Sequence, residues 1–412
     1  MTNQPNQSKP NLRPLDFQPV YHQGEQMWLL RDPLNLTNHQ IVMPQPLALL
    51  ATFIDGTRTP QQIHQDFCRR LGAPVGFDII TDTLAQLDQA CLLDNDRAAT
   101  ARAAKLATYR AAPNRPATLA DICYAADPAE LTTELIAYGS DDDLTGWQPW
   151  AGRGIISPHI DYQRGGPVYA QTWTRATTAV AQADIVLIFG TDHNGGPGTF
   201  TLTTQSYATP YGTLPTDPDI VNHVANAIGP DFAFAEELHH QQEHAVELSA
   251  VWLHHIRHQA GLPTCPMVPI LCGSFYQYIA SGTHPRDDQR LNTALDALHQ
   301  ATAGKRVLAV ASVDFAHVGP AFGDSFPMDQ PRRQQLRQTD NRLLHAITHG
   351  DADRFYQEIA TIRDKNRVCG FSSIYLLLRF LGPTKGTTIA YQHCPADNED
   401  TSLVSISGLL LE

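Results

Sequence analysis

Four segments of the chain carry short apolar runs rich in β-branched residues: GRGIISPH near Ile155, ADIVLIFGTDH near Ile185, CPMVPILCG near Val268 and KRVLAVASVDFAH near Val310. Strands covered on both faces read this way, because neither face meets solvent. The stretches between them place apolar residues at helical spacing. In QEHAVELSAVWLHHIRH, for example, Leu248, Val251, Trp252 and Ile256 fall on one face. Strands alternating with helices predict an α/β domain over residues 115–412, with a central sheet and helices on both faces.

The first hundred residues follow a different rhythm. MWLLRDP and HQIVMPQ predict two short strands with a turn between them, and PQPLALLATFI has helical spacing. Thr59 and Pro60 can open a helix that Gly72 closes, and Ile80, Leu84, Leu87 and Cys91 mark another. These elements predict a small winged-helix-like domain over 15–97. A disordered arm is expected over 1–14, and an Ala-rich helix fraying into an extended linker over 98–114.

Composition narrows the function. The chain has 412 residues, 42% hydrophobic and 17% charged, which fits a soluble globular protein of more than one domain. A formal net charge of -13 argues against a nucleic-acid partner, which needs clustered Lys and Arg. No apolar run approaches the roughly 20 residues of a membrane span. The polar, Pro-rich start lacks the apolar region of a secretory signal. Seven cysteines, an odd number with no CxxC, fit a reducing cytoplasm better than a disulfide framework.

The chemistry gathers where the strands end. GIISPH delivers His159, IVLIFGTDH delivers Asp192 and His193, and VLAVASVDFAH delivers Asp314 and His317. Ligand sites in α/β sheets form outside the carboxyl ends of strands. Glu243 and His244 open the helix that carries Trp252, where Glu243 also complements the helix dipole. Cys369 stands just before an apolar helix, a position expected to lower a thiol's pKa. His159 and His193 with one anionic ligand would form a three-ligand metal site with open positions. Cys369 is one candidate for that ligand; Asp192, Glu243 and Asp314 compete with it, and iron and zinc both suit such donors. His239 and His240 are weaker candidates, and His254, His255 and His258 are expected to be solvated. FGTDHNGGPG lacks the spacing of a dinucleotide fingerprint, and neither a phosphate loop nor a serine nucleophile elbow occurs.

Six collinear segments resemble the Memo family, also called AmmeMemoRadiSam system protein B: IISPHIDYQRGG, IFGTDHNGG, YATPYGTLPTD, QEHAVELSAVWL, SVDFAHVG and VCGFSSIYLLL, with DTSLVSISGLLL matching its closing strand. That family looks like the class III extradiol dioxygenases in fold, which implies a central mixed sheet with helices on both faces. The resemblance implies metal ligation by His159, His193 and Cys369, with Fe(II) expected and Zn or Cu possible. It implies that Asp314 and His317 line a pocket, with His317 and His244 as candidates for proton transfer. It also implies redox or oxygen chemistry on a small molecule or peptide, and radical-SAM and AMMECR-type partner proteins; the alternatives are a non-catalytic peptide-binding adaptor on the same scaffold and a zinc-dependent hydrolase with Glu243 as base. Asn194, Ala245 and Ser373 depart from the family's motifs, which puts substrate contacts in doubt more than metal ligation. DGTRT before a helix resembles, more distantly, the PqqD-like peptide-recognition modules.

Overall fold

The computed structural model describes residues 9–22 and 24–412. The chain divides into two compact units, one ending at Ala111 and the other running from Ala112 to Glu412. The smaller unit is a three-stranded antiparallel sheet, β1 (Asp16–His22), β2 (Glu25–Arg31) and β3 (Ile41–Pro44), with four helices. Its helix Pro60–Leu71 starts at a capping box made by Thr59 and Gln62 and stops at Gly72, whose backbone is left-handed. Ile63 and Phe67 from this helix, with Ile80, Leu87, Leu50 and Leu30, form its core.

Two expectations change here. Residues 1–8 of the expected arm lie outside the described residues, but 9–14 are ordered on the small unit. Leu12 N–H donates to Ile54 O at 3.0 Å, and the Arg13 guanidinium meets the buried Asp32 carboxylate at 2.9 Å. A buried carboxylate needs such a partner, and the chain start supplies it. The Ala-rich stretch is a complete helix, Asp96–Ala111, instead of a frayed one. Lys105 Nζ donates to the carbonyls of Leu34 and Asn35 at 2.6 and 2.9 Å, and Tyr109 is buried.

In the larger unit, β4 (Gly154–Ser157), β5 (Ile185–Thr191), β6 (Phe200–Leu202), β7 (Tyr207–Thr209), β8 (Gly212–Leu214), β9 (Met267–Cys272), β10 (Val307–Ser312), β11 (His317–Val318), β12 (Gly386–Pro395) and β13 (Leu403–Leu411) follow in order. The main sheet runs β11-β13-β4-β10-β5-β9-β6, with β12 beside β13 and a separate β7–β8 hairpin. The four middle strands, β4, β10, β5 and β9, are parallel; the flanking strands are antiparallel. It is the central sheet the apolar runs predicted, mixed as the family resemblance implied. Residues alternate between two cores: Ile185, Leu187 and Phe189 enter one, Val186 and Ile188 the other. Helix Phe371–Leu381 lies in the first core, and helices Tyr162–Arg175 and His244–Gln259 in the second. Among the described residues, no helix is long and apolar enough to cross a membrane.

Candidate metal centre

The register of the sheet brings three strand ends level. Ser312 at the end of β10 pairs with Ser157 of β4 on one side and Gly190 of β5 on the other. The residues that follow, His159, Asp314 and Asp192–His193, therefore leave the sheet side by side. His159 is buried, and its Nδ1 lies 3.1 Å from the Ser312 carbonyl. A carbonyl accepts only, so the ring's N–H sits on Nδ1 and Nε2 is left for the centre. That Nε2 is 3.3 Å from the Cys369 Sγ. Asp314 stands behind, its Oδ1 accepting the N–H groups of His159 and Ile160 at 3.0 and 3.2 Å.

His193 is set by the helix that follows in space. Gly190 lets that helix close on β5: a Cβ there would lie 3.0 Å from Val246 Cγ2. The N-cap of helix His244–Gln259 is Glu243, which accepts the N–H groups of His244 and Ala245 at 2.8 and 3.1 Å. The same carboxylate accepts His193 N–H at 3.1 Å, and lies 3.1 Å from His193 Nδ1 and 3.0 Å from His244 Nδ1. Capping and histidine orientation are thus one task for one side chain. The rings of His159, His193 and His244 cluster with centroids 4.7 to 5.0 Å apart.

Cys369 reaches this cluster from a distant part of the chain. Its N–H donates to Phe315 O at 3.3 Å, Gly370 N–H to Asp314 O at 3.0 Å, and Thr191 Oγ1 to Cys369 O at 3.0 Å. Gly370 is required, since a Cβ would lie 2.7 Å from Val313 Cβ. One donor atom each from His159, His193 and Cys369 lies within 4.8 Å of the others. Two of the three carboxylate competitors sort elsewhere, while Asp314 Oδ2 lies 3.7 Å from His159 Nε2. Glu243 groups with His193 and His244, and Asp192 with Glu236 and His239. Among the described residues, the thiol is the one anionic donor that groups with both His159 and His193.

The electrostatics follow from burial and neighbours. Burial, reinforced by His193 and His244, keeps His159 well below its ordinary pKa and therefore neutral. Burial opposes protonation of His193, but Glu243 and the Cys369 thiol outweigh it and raise its pKa. Glu243 would be pushed up by burial, yet His193 and His244 hold it well below the carboxylate range. Burial raises Asp314 to about 6 against the two N–H donors, and burial lowers His317 to about 4. Two cavities flank the cluster. One of about 340 Å³ is walled by Phe275, Phe371, Ser274 and Asp364; the other, of about 520 Å³, by His159, His244, Asp314, Arg164 and Gln242. His193, His317 and Phe322 line both.

Three expectations are corrected. The Cys369 thiol is not lowered by the helix it precedes; burial pushes its pKa up, only partly offset by the His193 contact. His254 and His255 are buried, not solvated, because the β7–β8 hairpin covers them: Thr209 Oγ1 lies 2.7 Å from His254 Nδ1, and Tyr211 OH 2.9 Å from His255 Nδ1. His258 is exposed as expected. His240 is buried between Tyr207 OH at 2.8 Å and Thr201 O at 3.1 Å, and burial lowers it to about 3. His239 pairs with Asp192 at 2.9 Å.

Sequence reasoning missed the buried Arg115–Glu247 pair. Arg115 also donates to the carbonyls of His240 and Glu243 at 2.8 and 2.9 Å, so it fixes the turn that carries Glu243. The signal was Glu247 bordering an apolar stripe, where a carboxylate needs a buried cation.

Comparison with known proteins places this geometry. The model of the family described as Memo-like protein matches residues 115–410. A MEMO1 family protein of Aquifex aeolicus is 23% identical over 98% of this chain and 99% of its own length, so the likeness includes the smaller unit. A MEMO1 family protein of Thermus thermophilus is 24% identical over 81% of this chain and 94% of its own. One from Methanosarcina barkeri is 24% identical over 63% of this chain and 86% of its own. The match spans nearly the whole larger unit, from the Arg115 that anchors Glu243 into the closing strand β13, and on it the chain belongs to the Memo-like protein family.

Proposed function

We propose that His159, His193 and Cys369 hold one metal ion, Fe(II) in preference to Zn or Cu, and that the protein carries out redox or oxygen chemistry on a small molecule or peptide. The observation that carries this reading is the convergence of two imidazoles and a thiol within 4.8 Å, with both Nδ1 atoms already committed to protein acceptors. Such a donor set fits the group: the acceptors turn each Nε2 toward the centre, and coordination would offset the cost of ionising the half-buried Cys369 thiol. When bound, the ion supplies Lewis acidity and, if it is iron, redox chemistry.

The chain's own residues divide the remaining work. His317 Nδ1 is tied to Phe315 O at 3.2 Å, which leaves Nε2 as the basic atom of a ring that lines both cavities. With its pKa near 4, that ring is neutral at neutral pH and only weakly basic, so its part in moving a proton requires the bound ion or substrate to raise its basicity. Glu243 is poorly suited to act as the base of a zinc hydrolase, because both its oxygens are occupied by two backbone donors of its own helix and by His193 and His244. Anaerobic purification followed by elemental analysis tests the reading. Roughly one iron per chain is expected, as for a mononuclear site, and the H159A/H193A double variant should lose it. Full metal occupancy in that variant overturns the assignment.

A further inference from the structure

We infer that Arg367, paired with Asp324, is a positioning residue that fixes the loop carrying Cys369 against His317, and so holds the thiol on the His159–His193 pair. The inference rests on the metal-ligand reading above. Seven described non-glycine residues have left-handed backbone, and three of them, Arg363, Asp364 and Arg367, fall within the six residues preceding Cys369, at φ 52°, 49° and 51°. Arg363 and Asp364 close the helix Ala352–Thr361, donating to Ala360 O and Ile359 O at 2.9 and 3.0 Å. Arg367 has no helix end to explain it. A side-chain-bearing residue keeps such a backbone only where its surroundings over-determine it.

The surroundings are specific. The Arg367 guanidinium grips Asp324 with two bonds, at 2.6 and 3.2 Å, and donates a third to the His317 carbonyl at 3.0 Å. Asp324 is itself fixed, accepting Gly319 N–H at 2.8 Å. The neighbouring Asn366 carbonyl accepts His317 N–H at 2.8 Å. Both backbone polar groups of His317 are therefore held by residues two and three positions before Cys369. An ion pair that only stabilised the fold would need no such placement, and one with Arg367 41% exposed contributes little to folding. Its reach to His317 on one side and to the thiol's loop on the other marks it as an alignment device between a cavity-lining base and a ligand.

Cobalt(II) titration of the full-length chain, freed of metal and kept reduced, tests this. Thiolate ligation gives a near-ultraviolet charge-transfer band that His ligation alone does not. The unsubstituted chain should show the band and C369S should lack it. R367A should keep its circular dichroism and thermal midpoint, bind cobalt about tenfold more weakly, as loss of supporting contacts to ligands generally does, and show a weaker band per bound ion. D324N, which keeps the oxygen but not the charge, should shift in the same direction by less. A full-intensity band in R367A with unchanged affinity overturns the positioning role alone. Absence of the band in the unsubstituted chain, or its survival in C369S, overturns the ligand assignment and the positioning role with it.

Discussion

The helix His244–Gln259 carries histidine at both ends. At its start, His244 stacks on His193 with ring centroids 4.7 Å apart, above the Glu243 carboxylate and beside a thiol. Toward its far end, the Nδ1 atoms of His254 and His255 meet the hydroxyls of Thr209 and Tyr211, and burial, reinforced by His258 and, for His254, by Arg257, lowers each to about 4. The rings of the first end are half-buried and those of the second buried, and both sets are hydrogen-bonded. They differ in that the first shares its space with charge and with the ends of three strands, while the second is covered by a hairpin that offers none. Histidine count and burial therefore do not identify a site; the partners of the rings do.

The sharpest way to break this comparison is to remove the carboxylate that distinguishes the first end. Glu243→Ala leaves His193 and His244 without an acceptor, and should weaken metal binding by roughly 10- to 100-fold. It should also cost about 1 kcal/mol of stability through the lost helix cap. Competition with a chromogenic chelator and urea unfolding read the two separately. A metal affinity equal to the parent's would show that the two ends are not different in kind.

The second test is pH. His254 and His255 titrate near 4 in the folded chain and near 6.5 when unfolded. Between those values the unfolded chain binds more protons, so stability rises with pH and is lost as the pH falls from about 6.5 to about 4. Each ring should account for about 2 kcal/mol of that loss after solvent screening is allowed for. The H254Q/H255Q double variant should flatten the slope of urea stability over this window while its metal content stays at the parental level. An unchanged slope would mean the rings are not held neutral. The smallest effect belongs to Tyr211→Phe, which deletes one hydrogen bond to His255. About 1 kcal/mol of stability should go, with no change in metal content; a loss of metal would join the two ends into one system.

Much of the site could be read along the chain because strand ends are local features. GIISPH, IVLIFGTDH and VLAVASVDFAH each combine an apolar run with a donor residue directly after it, and the parallel register then sets those donors side by side. Thr59, Pro60 and Gly72 likewise mark one helix from start to stop within a short window. The pairing of partners was not legible. Glu243, Asp192 and Asp314 look equivalent in sequence, yet one orients His193, one pairs with His239 and one receives the backbone of His159.

The Cys369 thiol shows where local reasoning stops. Its place before a helix argues for a low pKa, but the burial that comes from packing against β5 and β10 argues the other way and prevails. His254 and His255 fail for the same reason, since the hairpin that covers them lies more than forty residues earlier. Backbone periodicity and end signals act over a few residues and are written in the chain. Desolvation and charge pairing depend on atoms that meet only after folding, and they decided which of the candidate groups converge, which brace their neighbours and which are core.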